Sequence, residues 1–367
     1  MYAIALQFGA GKIGRGFFAQ LYTRSGLEVL FVEARPDLVE SLNRHRACWI
    51  EWTDGTRETV APVSAITPDD TVSLREAFRR AQVASTAVGV NLLPHLAAPI
   101  LEGLRARQAA GLPPLVLLLG ENDVQADQIL AQALHTAVPP EEASLLNHLN
   151  LVRTIIGRQV VAELPGDPPG VRADRYSKLP VDADAIREPL PPIEGLYAVR
   201  PFEAYVQRKL YVHNGLHALI AYLGAAKGYS TIQEALADPE IHTLYRRGAE
   251  ALERAFLKAF PFDPQEHHET IQDILARIED PHLNDPIARV AYEPLRKLRP
   301  HDRLVGAYRL LVQQGEDAEP FWQAIHSALH YSDPNDPESV RLSQWVQESG
   351  EHSVLQEWCQ LTQAHHS

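Results

Sequence analysis

Three polar side chains with complementary proton chemistry lie close together in the second half of the chain. They are the amine of Lys209, the carboxamide of Asn214 and the imidazole of His217. In an α-helix, at about 100° per residue, the three would point into an arc of roughly 140°. Burial can lower the pKa of a lysine, an amide can donate to a developing oxyanion, and an imidazole can orient a hydroxyl group. The spacing therefore predicts proton transfer to or from a hydroxyl or carbonyl group.

The first residues of the chain predict an element that binds a nucleotide. An apolar run, Ala3–Phe8, leads directly into glycines at positions 9, 11, 14 and 16, and a helix is predicted from Phe17 to Ser25. In this G-x-G-x-x-G pattern the glycines permit a tight turn, close approach to a pyrophosphate and close packing of the helix, whose N-terminal amides face the anion. The predicted cofactor contacts in this segment are Gly9, Gly11, Lys12, Ile13 and Gly14.

A carboxylate after the second predicted strand indicates which dinucleotide is bound. The strand Val29–Val32 ends at Glu33, which lies 22 residues beyond Gly11. A carboxylate at this point hydrogen-bonds the adenosine ribose and repels a 2′-phosphate. Glu33 therefore favours NAD, while the nearby Arg35 leaves NADP open.

Two further apolar runs complete the prediction of a parallel sheet. Val83–Gly89 and Leu115–Leu119 have the short, continuous apolar character of strands that are buried on both faces. The residues that follow such strands lie at the carboxyl edge of the sheet, where open α/β folds bind ligands. Val88 and Asn122 are accordingly predicted to contact the cofactor. The fold class is α/β, with an N-terminal Rossmann-type, doubly wound sheet.

A change in composition predicts two domains. Residues 165–192 contain seven prolines, which disfavour helix, so we predict an extended connector with one strand around Val171–Val181 added to the sheet edge. The predicted division assigns residues 1–195, including the connector 165–195, to the dinucleotide-binding domain and residues 196–367 to a mainly α-helical substrate domain. Five helices are predicted there: Phe202–Lys227, Ile232–Leu236, Pro239–Phe260, Pro264–Ile278 and Asp302–Gln314.

These motifs together resemble the polyol-specific long-chain dehydrogenases. The resemblance covers nearly the whole chain and rests on the glycine segment, the Glu121-Asn122 pair, the K-x4-N-x2-H pattern and two later segments, 294–304 and 333–337. It implies that Lys209 is the general acid or base, that Asn214 polarises a carbonyl group and that His217 positions the reacting oxygen. It also implies metal-independent hydride transfer between NAD and a linear polyol or keto-sugar, with mannitol 1-phosphate and fructose 6-phosphate as the expected pair.

One segment departs from the family pattern. Members carry a polar residue shortly before an Asp-Arg pair, whereas Arg153 is preceded here by Val152. An ungapped match puts His148 at the polar position and displaces Asn147 by one. We take Asn147 as the preferred second oxyanion donor, with His148 and Asn150 as alternatives. This departure leaves open a free-polyol dehydrogenase or a keto-uronate reductase, and a catalytically silent, NAD-sensing protein is a third alternative.

Two further groups of residues are predicted to line the substrate site. Guanidinium groups suit phosphate oxygens, and we predict that Arg296, Lys297 and Arg303 hold a sugar phosphate. His213 is predicted to line the same cleft. Its four-residue spacing from His217 also suits zinc, but no glutamate stands in the metalloprotease position and no third ligand is identifiable, so no metal is predicted.

Composition excludes several classes of partner. The 367 residues carry 47 acidic and 34 basic side chains, and the net charge of −13 argues against nucleic-acid binding. No apolar run reaches transmembrane length, and no cleavable signal precedes the first strand, so we expect a cytoplasmic protein without a membrane partner. The two cysteines form no metal or redox motif. We expect a monomer or homodimer.

Overall fold

The computed structural model describes residues 3–123 and 125–361, which form two compact units. The first unit extends from Met1 to Tyr205 and the second from Val206 to Ser367. The domain division predicted after residue 195 stays a prediction. No helix in the described part of the chain is long and apolar enough to cross a membrane.

The first unit is built on parallel strands, as the apolar runs predict. The described strands are β1 Ile4–Phe8, β2 Glu28–Val32, β3 Cys48–Trp52, β4 Arg57–Val60, β5 Val63–Ile66, β6 Ala81–Thr86, β7 Leu115–Leu119, β8 Leu149–Arg153, β9 Val160–Leu164, β10 Gly170–Ala173, β11 Leu179–Asp182 and β12 Leu196–Val199. Six of them form one sheet in the order β5-β2-β1-β6-β7-β8, and every pairing in it is parallel. This confirms the Rossmann-type prediction.

Both faces of this sheet are buried. Successive residues of a strand point to opposite faces, and along β1 Ala5 belongs to one apolar cluster while Ile4 and Leu6 belong to another. Helices supply the remainder of both clusters. The helices of the first unit are Gly14–Phe18 (π), Ala19–Arg24, Pro36–His45, Thr71–Arg80, Val90–Leu96 (3₁₀), Ala97–Ala109, Ala126–Ala137 and Pro140–His148 (3₁₀).

The proline-rich stretch was predicted incorrectly. Instead of one strand around Val171–Val181 at the edge of the large sheet, it contains β10 and β11, which belong to two other sheets. β10 pairs with β3 and β9 in a four-stranded sheet of order β4-β3-β10-β9, and β11 pairs with β12. β10 and β11 pair with their sequence neighbours β9 and β12, but the pairing of β10 with β3 joins residues as distant as Trp49 and Gly170, and the apolar pattern contains no signal for it.

The second unit is helical and encloses its own apolar core. Four of the predicted helices agree with the structure within a residue or two, and the fifth begins at Val305 rather than Asp302. The helix Phe202–Arg208 contains the division between the units and is followed by Lys209–Asn214 (π), Gly215–Ala226, Ile232–Leu236, Pro239–Ala259, Pro264–Ile278, Ile287–Ala291, Pro294–Lys297, Val305–Gln314, Glu319–Leu329, Pro337–Ser353 and Val354–Trp358 (π).

Candidate active site

Lys209 and Asn214 are the first and last residues of a π-helical turn. The turn Lys209–Asn214 continues directly into the helix Gly215–Ala226, which carries His217. A π-helix bonds residue i to residue i+5, and single π-turns are frequent at functional sites. Residues five apart are therefore one turn apart, which aligns Lys209 with Asn214 better than the α-helical spacing assumed from the sequence. Gly215 permits this path, because a Cβ there would lie 2.8 Å from the backbone oxygen of Arg303.

The surroundings of Lys209 favour its neutral form. Burial, together with the nearby cation of Arg303, lowers the pKa of the Lys209 amine to about 7, against the opposing charge of Asp302. Removal of an ammonium group from water penalises its charged form, and a second cation adds to that penalty. An amine with a pKa of about 7 exchanges protons readily at neutral pH, so this side chain has the protonation equilibrium that a general acid or base needs.

His217 lies beside a carboxylate that the sequence patterns did not single out. Its Nε2 lies 3.4 Å from Oδ2 of Asp285, a side chain only 1% exposed, and Arg289 pairs with the same carboxylate. Burial lowers the pKa of His217 to about 4, although Asp285 opposes this shift. His217 is therefore neutral at physiological pH, and the Asp285 carboxylate lies beside its ring.

His213 lies on the same turn and is buried. Its ring centroid is 6.4 Å from that of His217, and burial holds its pKa well below the ordinary value. Within residues 3–123 and 125–361, no group of three or more His, Cys, Asp or Glu side chains is arranged to hold a metal ion.

The predicted phosphate-binding residues are near Lys209. Arg303 and Arg296 are among the charges that lower its pKa, and they also act on Lys297, whose pKa burial lowers to about 7. Arg303 pairs with Asp302 at 2.8 Å, and Arg296 pairs with Glu293 at 2.8 Å. Arg296 and Arg303 are thus each paired with a carboxylate, so the cluster has one net positive charge when Lys297 is protonated and none when Lys297 is neutral.

In the first unit, the glycine segment forms the expected tight turn. Gly9 has a φ of +87°, and a Cβ on Gly14 would lie 2.1 Å from the backbone oxygen of Gly9. A Cβ on Gly11 would meet nothing within 4 Å, so the space above this residue is open. Lys12 is exposed and Ile13 packs partly into the core. The open backbone at Gly11 and the crowded backbone at Gly9 and Gly14 fit the requirements of a pyrophosphate-binding turn.

Glu33 lies directly beside this turn. Its Oε2 accepts a hydrogen bond of 2.8 Å from the Ala10 amide, and its Oε1 accepts one of 2.9 Å from the Arg35 amide. The carboxylate is thereby fixed at the carboxyl end of β2, where a dinucleotide fold presents an acid to the adenosine ribose.

The other predicted cofactor residues follow β6 and β7. Glu121 accepts hydrogen bonds from the Thr86 hydroxyl at 2.5 Å and from the Val88 amide at 3.0 Å. Burial raises the pKa of Glu121, and these hydrogen bonds oppose that rise. Val88 also lies against the glycine turn, because a Cβ on Gly9 would be 2.9 Å from its Cγ1. Asn122 is exposed just beyond β7. The structure therefore brings Val88 to the glycine turn, and Glu121 fixes the loop that carries it.

The preferred second oxyanion donor does not reach this edge of the sheet. Asn147 is exposed in the 3₁₀-helix that precedes β8, and β8 runs parallel to β7. Asn147 and His148 therefore lie at the amino end of β8, opposite to the carboxyl edge. Asn150 is buried and occupied, since it donates to the Ala185 oxygen and accepts from the Arg187 amide. Linear matching of sequence positions could not detect this, because the strand direction decides which edge a residue occupies.

Arg153 finds acidic partners elsewhere in the chain. It ends β8 and pairs with Asp182 at 2.7 Å and with Glu203 at 2.6 Å. Its guanidinium group also lies 4.8 Å from the centre of the Phe202 ring. Arg153 has no aspartate before it, but its charge is paired with carboxylates that lie later in the sequence.

A glycine turn with an acid after β2, and a half-buried lysine on one π-turn with an amide and followed by a neutral histidine, are typical of a dinucleotide-dependent oxidoreductase. Two family models together match nearly the whole chain: the mannitol dehydrogenase Rossmann domain over residues 3–195 and the mannitol dehydrogenase C-terminal domain over residues 201–363. The chain belongs to the mannitol dehydrogenase family, and it is a polyol dehydrogenase.

Similar proteins agree with this assignment. The chain is 34% identical over 355 residues to the mannitol-1-phosphate 5-dehydrogenase of Brevibacillus brevis, covering 96% of this chain and 92% of the relative. It is 33% identical over 360 residues to the enzyme of the same name from Bacillus subtilis, covering 97% and 95%. The resemblance inferred from the sequence motifs is thereby confirmed.

Two solved structures share the fold. One is the Pseudomonas fluorescens mannitol 2-dehydrogenase in a ternary complex with NAD and D-mannitol, with a TM-score of 0.72 and 14% identity over 98% of this chain and 87% of that one. The other is a D-sorbitol dehydrogenase in substrate-free form, with a TM-score of 0.75 and 14% identity over 95% and 94%. At this identity the two structures support the fold alone.

Proposed function

We propose that this chain interconverts mannitol 1-phosphate and fructose 6-phosphate with NAD, and that Lys209 transfers the proton. The observation that carries the mechanism is the buried amine of Lys209, with a pKa of about 7, aligned with Asn214 on one π-helical turn. The substrate pair is supported by curated relatives named mannitol-1-phosphate 5-dehydrogenase, which match nearly the full chain.

In the oxidation, the neutral amine of Lys209 accepts the proton of the substrate hydroxyl. Asn214 donates a hydrogen bond to the oxygen on which negative charge develops, and neutral His217 positions the same oxygen. NAD, when bound, supplies the acceptor for the hydride that leaves the same carbon. In the reduction, the ammonium form of Lys209 returns its proton to the developing alkoxide. This assignment gives the proton step to an amine and not to a metal-bound hydroxide.

The residues of the first unit fit NAD. The backbone at Gly11 is open to a pyrophosphate, and the fixed carboxylate of Glu33 suits the two ribose hydroxyls. Val88 and Asn122 are the proposed contacts on the neighbouring strands.

The substrate phosphate is assigned to the basic cluster of Arg296, Lys297 and Arg303, with His213 lining the same site. The two guanidinium groups suit phosphate oxygens, and the net positive charge of the cluster when Lys297 is protonated favours a phosphorylated polyol over a free one. The proposal also includes a cytoplasmic location and a monomeric or homodimeric state.

The test is turnover by the purified protein with three substrate pairs. NADH oxidation is measured with fructose 6-phosphate, free fructose and a keto-uronate, and NAD reduction with the corresponding alcohols. We expect turnover of the phosphorylated pair, reduced roughly 10²- to 10⁴-fold in Lys209→Ala, the range typical of general acid–base groups. The matched control is Lys258→Ala, which removes a half-exposed helical lysine that pairs with Glu316.

Each other outcome has a defined meaning. Turnover of an unphosphorylated substrate alone would move the activity to a free-polyol dehydrogenase or keto-uronate reductase. NAD binding without turnover of any pair would favour an NAD-sensing protein. Equal activity of Lys209→Ala and Lys258→Ala would remove Lys209 from the mechanism.

A further inference from the structure

Whether the proposed cofactor site prefers NAD or NADP depends on which groups the Arg35 side chain contacts. Arg35 follows Glu33 closely, and its side chain is about half exposed beside the carboxylate. An arginine near this point is the group that accepts a 2′-phosphate in NADP-binding folds. The sequence alone leaves NADP open for this reason.

The structure shows a second carboxylate on Arg35. Oε2 of Glu163 lies 3.5 Å from Nη1 of Arg35, and Oε1 of Glu33 lies 3.5 Å from its Nε. The other oxygen of Glu163 lies 3.1 Å from Nη2 of Arg15, a residue only 3% exposed. Glu163 thus connects a buried arginine at the glycine turn with the exposed arginine beside the ribose-binding acid.

Close packing brings Glu163 to this position. It belongs to β9, and β9 pairs with β10 next to the π-helix Gly14–Phe18. A Cβ on Gly16 would lie 2.8 Å from Val171 of β10 and 3.1 Å from Val160 of β9. Because Gly16 has no side chain, β9 and β10 can pack against the helix that begins at the glycine turn. This packing places Glu163 of β9 beside the turn.

We propose that Glu163 is a second determinant of NAD selectivity, because it pairs with Arg35 and holds this guanidinium group away from a 2′-phosphate. This inference rests on the proposed NAD-dependent function. The guanidinium group that would attract the 2′-phosphate of NADP is already paired with two carboxylates, those of Glu33 and Glu163. NAD lacks that phosphate, so its binding is not penalised.

The test measures binding and not turnover. The dissociation constants of NAD⁺ and NADP⁺ are determined by calorimetry for the full chain and for Glu163→Gln, which keeps the size of the side chain and removes its charge. We expect NADP⁺ to bind about fivefold or more tightly than in the unchanged chain, as the strength of exposed ion pairs suggests, with NAD⁺ affinity within twofold. The matched control is Glu194→Gln, which removes an equally exposed carboxylate paired with Arg24.

A second variant tests whether the gain in NADP⁺ affinity comes from the release of Arg35 or only from the loss of the Glu163 charge. In the double variant Glu163→Gln with Arg35→Ala, the gain in NADP⁺ affinity should disappear. An unchanged ratio of NADP⁺ to NAD⁺ affinity in Glu163→Gln, or a gain that survives Arg35→Ala, overturns the inference. If the unchanged chain binds neither nucleotide, the proposed function fails instead, and the two failures are distinguishable. Thermal unfolding of each variant establishes that it is folded when binding is measured.

Discussion

At the scale of single residues, the site depends on lowering the pKa values of two basic side chains. Lys209 has a pKa of about 7 because it is buried near Arg303, while His217 has a pKa of about 4 because it is buried. One group therefore changes protonation near neutral pH and the other stays neutral. Burial and neighbouring charge thus give the two side chains different roles: Lys209 can carry the proton, and neutral His217 can orient the substrate.

The pH dependence of turnover follows from the state of Lys209. Oxidation of the alcohol requires the neutral amine, so kcat/KM for oxidation should rise as the pH increases through about 7. Reduction requires the ammonium form, so kcat/KM for reduction should fall over the same range. Initial rates in both directions between about pH 5.5 and 9 measure these profiles. Parallel profiles in the two directions would contradict the assignment of Lys209.

At the scale of elements, sequence reasoning succeeded where the signal is local and failed where it is not. Apolar runs and proline or glycine boundaries located β1, β2, β7 and the five predicted helices of the second unit, because periodicity and capping act within a few residues. They did not locate the helices Ile287–Ala291, Pro294–Lys297, Glu319–Leu329, Pro337–Ser353 and Val354–Trp358. The same signals could not pair β10 with β3 or assign Asn147 to an edge of the sheet. The π-turn at Lys209 was also missed, since α and π spacing differ by one residue and no local residue type distinguishes them.

Two substitutions in the glycine turn should have different effects on stability and on NAD binding. Gly14→Ala places a Cβ 2.1 Å from a backbone oxygen, so the turn must open, and we expect a loss of about 2 kcal/mol or more in the free energy of unfolding together with loss of NAD binding. Gly11→Ala meets nothing within 4 Å, so stability should change by less than about 1 kcal/mol while NAD⁺ affinity falls, because the methyl group obstructs the approach of the pyrophosphate.

Urea unfolding and calorimetric NAD⁺ binding of both variants check this pair. If Gly14→Ala is as stable as Gly11→Ala, the close approach at Gly9 does not exist in solution. If Gly11→Ala binds NAD⁺ as tightly as the unchanged chain, the pyrophosphate does not contact this residue.

At the scale of the whole molecule, buried bases make stability depend on pH. Lys297 is 3% exposed, and its pKa falls from 10.5 to about 7 on folding. Between these values the unfolded chain binds a proton that the folded chain does not, so the free energy of unfolding increases with pH. Below about pH 7 the cost of burying this lysine is at its maximum, and it decreases toward about pH 10.

Lys297→Met tests this dependence. The variant retains the volume of the side chain without its titration, so its stability should rise less steeply with pH, by up to about 1.4 kcal/mol per pH unit between about pH 7 and 10. Urea unfolding midpoints at intervals across this range provide the slope. The half-exposed Lys258, changed to Met, is the control, and equal slopes for both variants would show that Lys297 is not buried in its neutral form.

The pairing of β3 with β10 determines when the first unit can complete its fold during synthesis. Residue 49 pairs with residue 170, and β3 and β10 run parallel. A nascent chain that has emerged only as far as β8 already contains every strand of the six-stranded sheet, but its β3 and β4 form a hairpin whose outer edge still lacks a neighbour. Unpaired strand edges recruit other chains. Ribosome pausing between β8 and β10 would therefore expose this edge to association with neighbouring nascent chains, and uninterrupted translation of that stretch would protect it.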